Sequence, residues 1–235
     1  MGSAWSVFAI PAAEVRTLAK AFKRHGLKEA TLVVGRALEP VAGSDPWVAF
    51  GIEHKTSGYF GPANQDDLKS SFFSAFERMV SLTGDGNSDW VVLRPYVQGQ
   101  LRVRKHTTFG FALYPWCKTL GFNLMGLARF GNFGINGAGF RGDSYPLKGA
   151  LPTLDPAAFK APSIPAELKI TESTDVLYEA SREGGTLAEA RFALALIYRM
   201  EDPGEGIWML GELVDELPED DPITPAAKGL LALED

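Results

Sequence analysis

Apolar and polar residues along this chain repeat first with the period of strands and later with that of helices. Residues 5–10, 31–38 and 47–52 are short apolar runs bounded by turn-forming residues, and each reads as a strand. Pro11 suits the first position of a helix running to about His25, with Gly26 as its stop. Val15, Leu18, Ala19 and Phe22 recur there at i, i+3, i+4 and i+7. Arg16, Lys20, Lys23 and Arg24 fall elsewhere and give the helix a basic outer face. The spacing of Leu68, Phe72, Phe73, Phe76, Met79 and Val80 predicts a second amphipathic helix over 65–82, capped by Asn64. Residues 89–97 and 101–113 read as strands paired about a turn at Gln98-Gly99-Gln100, with Pro95 marking an edge or a bulge. The aromatic, glycine-dotted stretch 120–140 reads as strands of a curved sheet.

Five prolines (Pro146, Pro152, Pro156, Pro162 and Pro165) then interrupt regular structure. Beyond them the punctuation is helical. A helix is expected over 174–182. Thr186 with Glu189 makes a capping box, Asp202-Pro203 with Glu205 repeats that start, and Thr224-Pro225 opens a last short helix. The expected fold is α+β. Residues 1–145 would form a mostly antiparallel sheet with two amphipathic helices, 146–170 a Pro-rich linker, and 171–235 a small acidic all-helical module of hairpins.

Charge sharpens that division. Residues 1–170 carry 19 Lys and Arg against 13 Asp and Glu, whereas residues 171–235 carry 4 against 16. A basic body followed by an acidic helical segment implies a charged docking surface. The whole chain is at −6 with a pI of about 5.2, which disfavours nucleic acid as a partner. No apolar run has the length of a membrane-spanning helix. The lone Cys117 permits no intrachain disulfide, so a reducing, cytoplasmic setting is expected. Met1-Gly2 with Ser6 fits an N-myristoylation pattern, but no polybasic segment follows to supply the second signal that stable anchoring needs.

Candidate chemistry is sparse. Gly137 to Gly142 satisfies the spacing of a dinucleotide-binding loop, yet Pro146 and the prolines after it leave little room for the helix that loop requires. Arg141-Gly142-Asp143 spells an integrin-type tripeptide without an extracellular setting. Cys117 sits in an aromatic context that favours a buried, inert thiol over a nucleophile. His25, His54 and His106 show no metal-ligand spacing, and Glu53 beside His54 would point to the opposite face of a strand. No catalytic residue, metal or cofactor is therefore assigned.

Two surfaces remain. In an extended segment Arg102, Arg104 and His106 share a face and could recognise an anion. Beside them, the aromatics of 109–140 would line a pocket, the arrangement of an enzyme or small-molecule binder. The stretch 201–221 is acidic and holds no Lys or Arg, with Ile207, Leu210, Leu213 and Leu217 along one side of a helix. The favoured reading is a non-enzymatic intracellular binding protein, in the manner of an inhibitor or immunity-like neutraliser. Glu205, Glu212, Asp215, Glu216, Glu219, Asp220 and Asp221 would engage a basic protein partner. Self-assembly as a homo-oligomer through an unpaired apolar helical face is the third possibility.

Overall fold

The computed structural model describes residues 4–25, 30–56, 59–62, 68, 70–85, 88–101, 106–109, 116–130, 140, 142–149, 151–166, 181 and 188–234. The architecture is α+β. The chain divides into two compact units, each discontinuous in sequence. The first comprises residues 1–38, 46–110 and 127–160; the second comprises 39–45, 111–126 and 161–235.

The first unit is built on an antiparallel sheet. Its strands are β1 (Ala4–Pro11), β2 (Ala30–Leu38), β3 (Trp47–Thr56), β4 (Tyr59–Pro62), β5 (Arg78–Asp85), β6 (Ser88–Val97), β7 (Gln100–Leu101), β8 (His106–Phe109) and β9 (Asp143–Pro146). The main path runs β7-β6-β5-β1-β3-β2-β9, with β4 on β3 and β8 on β6. Period-two alternation sends Phe8 and Ile10 of β1 to one face and Val7 and Ala9 to the other, and all four are fully buried. Both faces of the central strands are thus covered, which is why they read as nearly continuous apolar runs.

One face carries Phe8, Leu32, Val34, Val48, Phe50 and Ile52. Against them pack Val15, Leu18 and Phe22 of α1 (Val15–His25) together with Phe72, Phe73 and Phe76. Phe8 stacks on Phe50 at 5.2 Å, and Phe72 meets Phe8 and Phe76 edge-on at 6.3 and 5.5 Å. Aromatic pairs in these offsets add to the area they bury. On the other face Phe130 lies over Gly35 and Phe140 over Gly51, the two rings stacked 5.1 Å apart. A side chain at either glycine would occupy the ring's place, so these strand glycines are sites of close approach.

Several sequence expectations are corrected. Of the expected second amphipathic helix, the described residues hold the single turn α2 (Ser70–Phe73); residues 78–85 form β5 instead, between β1 and β6. Leu68, Phe72, Phe73, Phe76 and Met79 still reach the core, since a turn and a strand can bring the same residues inward as a helix would. The 120–140 stretch, where described, is helical: α3 (Trp116–Leu120) and α4 (Leu124–Phe130), separated by Gly121 at φ 84°, a left-handed helix stop. The turn at Gln98-Gly99 is as expected, with φ of 50° and 77°. Pro95 stands opposite Val80. On the other side of β6 it falls between the pairings of Tyr96–Val97 with β7 and of Trp90–Leu93 with β8, where no ladder donor is demanded among the described residues. The proline-rich stretch is packed rather than free in the described part. Residues 143–146 pair with β2, and Leu147, Leu151, Leu154 and Phe159 lie against the first unit's core.

In the second unit three helices come one after another: α5 (Ala188–Glu201), α6 (Pro203–Glu216) and α7 (Ile223–Leu231). Phe192 to Ile197 are at most 2% exposed, so the middle of α5 is enclosed on all sides, while Ala188, Glu189, Arg191 and Tyr198 are half-buried. Segment 39–42 is held by backbone bonds on two sides: Val41 N–H to Gly121 O and Ala42 N–H to Ile164 O, at 2.9 and 2.8 Å. The last helix begins at Ile223, one residue before the expected Thr224, because Asp221 accepts the Ile223 N–H at 2.8 Å. The expected helix over 174–182 and the Thr186 cap lie outside the described residues, apart from Ser181. Among the described residues, no helix is long and apolar enough to cross a membrane.

Candidate functional site: the outer face of the acidic helix

α6 forms where the sequence punctuation puts it. Asp202 is extended at the N-cap and its Oδ1 accepts the Glu205 N–H at 3.3 Å, while Pro203 fills the first helical position. Gly206, Leu210 and Leu213 are buried along the inner side. A period of 3.6 residues then places Trp208 on the opposite side, in solvent. Among the described residues, Trp208 (56% exposed) and Leu101 are the large apolar side chains left outside. Trp208 is flanked along the helix by Glu205 and Glu212 on one side and by Gly204 and Gly211 on the other. Asp215 lies two turns further on.

The acidic residues singled out from sequence divide into two groups. Glu212 and Glu216 both receive the guanidinium of Arg191 from α5, Glu212 at 3.3 Å. Glu219 receives Lys228 Nζ at 2.6 Å, and Asp221 Oδ1 accepts the N–H of Ile223, the first residue of α7. Glu205, Asp215 and Asp220 carry no side-chain ion pair among the described residues, and all three are exposed. The acidic face is therefore partly neutralised from within its own unit, and of the three remaining acids Glu205 stands one turn from Trp208.

The Arg191 clasp shows in the ionisation of its members. The hydrogen bond from Arg191 holds the Glu216 carboxyl below its ordinary 4.5, and the same bond raises the Arg191 guanidinium. A depressed carboxyl contributes stability that is present above the ordinary value and lost as pH falls through the folded one. The Glu216 carboxyl, followed by NMR, should thus titrate below 4.5 in the wild type and return to it in Arg191→Gln. An undisplaced wild-type midpoint would contradict the clasp.

Beneath this surface the second unit contains a buried polar network. Arg199 Nη1 donates to Glu39 Oε1 at 3.0 Å, and Nη2 and Nε donate to Glu234 Oε1 at 2.6 and 3.2 Å. Asn123 Nδ2 donates to the second Glu39 oxygen at 2.9 Å, and its backbone N–H to Glu39 O at 2.7 Å. Cys117 is buried beside it: its sulfur accepts the Leu124 N–H at 3.3 Å and lies 3.9 Å from Asn123 Oδ1. Burial works against the Arg199 charge, but Glu39 and Glu234 outweigh it and leave the guanidinium above its ordinary value. The network ties α5 to segment 39–45 and to Glu234 beyond α7.

The other expected sites fare differently. Arg102 and Arg104 lie outside the described residues, and His106 opens β8, its backbone opposite Leu93. Of the aromatics expected to line a pocket, Phe122, Phe130 and Phe140 are buried in packing, while Phe111 and Phe133 lie outside the described residues. The glycine loop at 137–142 is described only at Phe140 and Gly142. Strand β9 begins at Asp143, where a pyrophosphate-binding loop would need a helix N-terminus. Among the described residues no group of three His, Cys, Asp or Glu is placed to hold a metal ion. Trp208 is missing from the residues that sequence reasoning singles out, although a helical projection from Leu210 and Leu213 sets it among the charges. No protein-family model, curated protein or solved structure matches the chain.

Proposed function

We propose that this chain is a non-enzymatic, cytoplasmic binding protein whose acidic C-terminal helical module engages a basic protein, as an inhibitor or immunity-like neutraliser does. The observation that carries the reading is Trp208 standing in solvent on the outer face of α6, bordered by carboxylates. Aromatic anchors within a charged rim are the pattern of interface hot spots. Charge of one sign steers a partner of the other and makes association salt-dependent. A face of one sign also repels its own copy, which argues against self-pairing through this surface.

The exposed acids without an ion pair among the described residues are the ones to reverse. Glu205→Lys, Asp215→Lys and Asp220→Lys together should abolish retention, at low ionic strength, of the proteins that the wild type holds from native extract, while helicity measured by circular dichroism stays unchanged. The retained species should be basic and released by salt. Retention of acidic or neutral proteins, or equal retention by the triple variant, would refute the reading.

A further inference from the structure

Resting on that reading, we infer that the partner presents an arginine, and that its guanidinium stacks on the exposed indole of Trp208. The two glycines beside the indole supply the reason. Gly204 and Gly211 lie in α6, where glycine is less favourable than alanine by about 1 kcal/mol, and neither is required by packing. A Cβ at Gly211 would meet nothing within 4 Å, and one at Gly204 would meet only Asp202 Oδ1 at 3.5 Å. Gly206 on the inner side contrasts with both, since its Cβ would strike the backbone of Arg199. The outer glycines therefore put no side chain on one flank of the indole, while Glu205 and Glu212 stand on the other flank.

The chemistry of that strip favours a guanidinium over an ammonium. Arginine is planar, weakly hydrated and stacks on aromatic faces while its edge donors reach carboxylates; lysine is a compact, strongly hydrated charge. Glu205 sits about 4.5 Å along the axis from Trp208, on the rise of 1.5 Å per residue, within reach of the edge of a stacked guanidinium. The helix already binds one such group, since Arg191 is shared by Glu212 and Glu216. That pairing occupies Glu212 and leaves Glu205 for the incoming residue.

The test uses the full chain and three peptides of equal length, one carrying arginines, one lysines and one citrullines at the same positions. Binding is measured by calorimetry at low ionic strength. The wild type should prefer the arginine peptide to the lysine peptide by about three- to thirty-fold, the range of a cation–π contact, and should ignore the citrulline peptide. Trp208→Ala should erase the arginine preference without lowering amide protection in α6. Gly211→Ala should raise that protection while weakening the arginine peptide. If Glu205→Lys with Asp215→Lys abolishes binding of both cationic peptides while Trp208→Ala and Gly211→Ala leave the preference intact, the arginine assignment is overturned and the basic-partner reading stands. If the wild type binds neither cationic peptide, or binds them regardless of the charge reversals, both are overturned.

Discussion

Replacing Arg199 by Met should destabilise the second unit by about 3–5 kcal/mol, the usual cost of removing one member of a buried ion pair. The loss comes less from the missing attraction than from the charge left behind. Glu39 is 6% exposed, and without the guanidinium its carboxylate keeps, among the described residues, the bond from Asn123. A second substitution, Glu39→Leu, removes the stranded charge and should recover a large part of the loss, because an apolar pair of similar volume can substitute for a buried salt bridge. Since the chain has two units, a single unfolding midpoint need not report on one of them. Amide exchange in α5 and in segment 39–45 is the sharper measurement. Protection lost in Arg199→Met and largely restored in the double variant is the expected result; an unchanged exchange pattern in the single variant would show that the buried pair holds nothing.

That pair also marks where sequence reading stops. Glu39 and Arg199 are 160 positions apart, and nothing local to either announces the other. Segment 39–45 reads as a loop between two strands, which it is, but its membership of the second unit is visible only in space. Local signals are reliable where backbone chemistry is local: the Asp202 cap, the left-handed turn at Gln98-Gly99, and the apolar strands β1, β2 and β3. They fail in the second half of the expected 65–82 helix, along which Phe72, Phe73, Phe76, Met79 and Val80 fit a helical stripe. Pairing of Met79 to Thr83 with β6, and of Val80 to Asp85 with β1, captures the second half of that stripe as a strand. Tertiary pairing there overrides a period that the side chains satisfy either way. The reverse error over 120–130 arises from taking glycines and aromatic rings as β signals, when Gly121 is the stop between two short helices. For the candidate site, the acidic side of α6 is legible from its period. The division of its acids is not, because Arg191 and Lys228 come from neighbouring helices.

The same change, Gly to Ala, should act with opposite sign on the two sides of α6. At Gly206 the new Cβ would lie 2.7 Å from Arg199 Cγ and 2.8 Å from Arg199 Cα. A free side chain would rotate its Cγ away, but Arg199 is held by Glu39 and Glu234, and the Cα is backbone. Relief therefore requires α6 to move off α5, and Asp202 alone separates the two helices, so the movement is resisted close by. Overpacking of this kind costs roughly 1–3 kcal/mol, sometimes more, against which the better helix propensity of alanine returns up to about 1 kcal/mol. The net expectation is a destabilised second unit, with the Arg199 network disturbed and protection in α5 reduced. At Gly211 there is no neighbour within 4 Å, so only the propensity gain remains and the helix should be firmer. Comparing both variants with the wild type by urea unfolding and amide exchange removes the intrinsic preference of the residue from the answer. A neutral Gly206→Ala would mean that the two helices are free to separate at their closest point, and the tight α5–α6 joint would have to be abandoned.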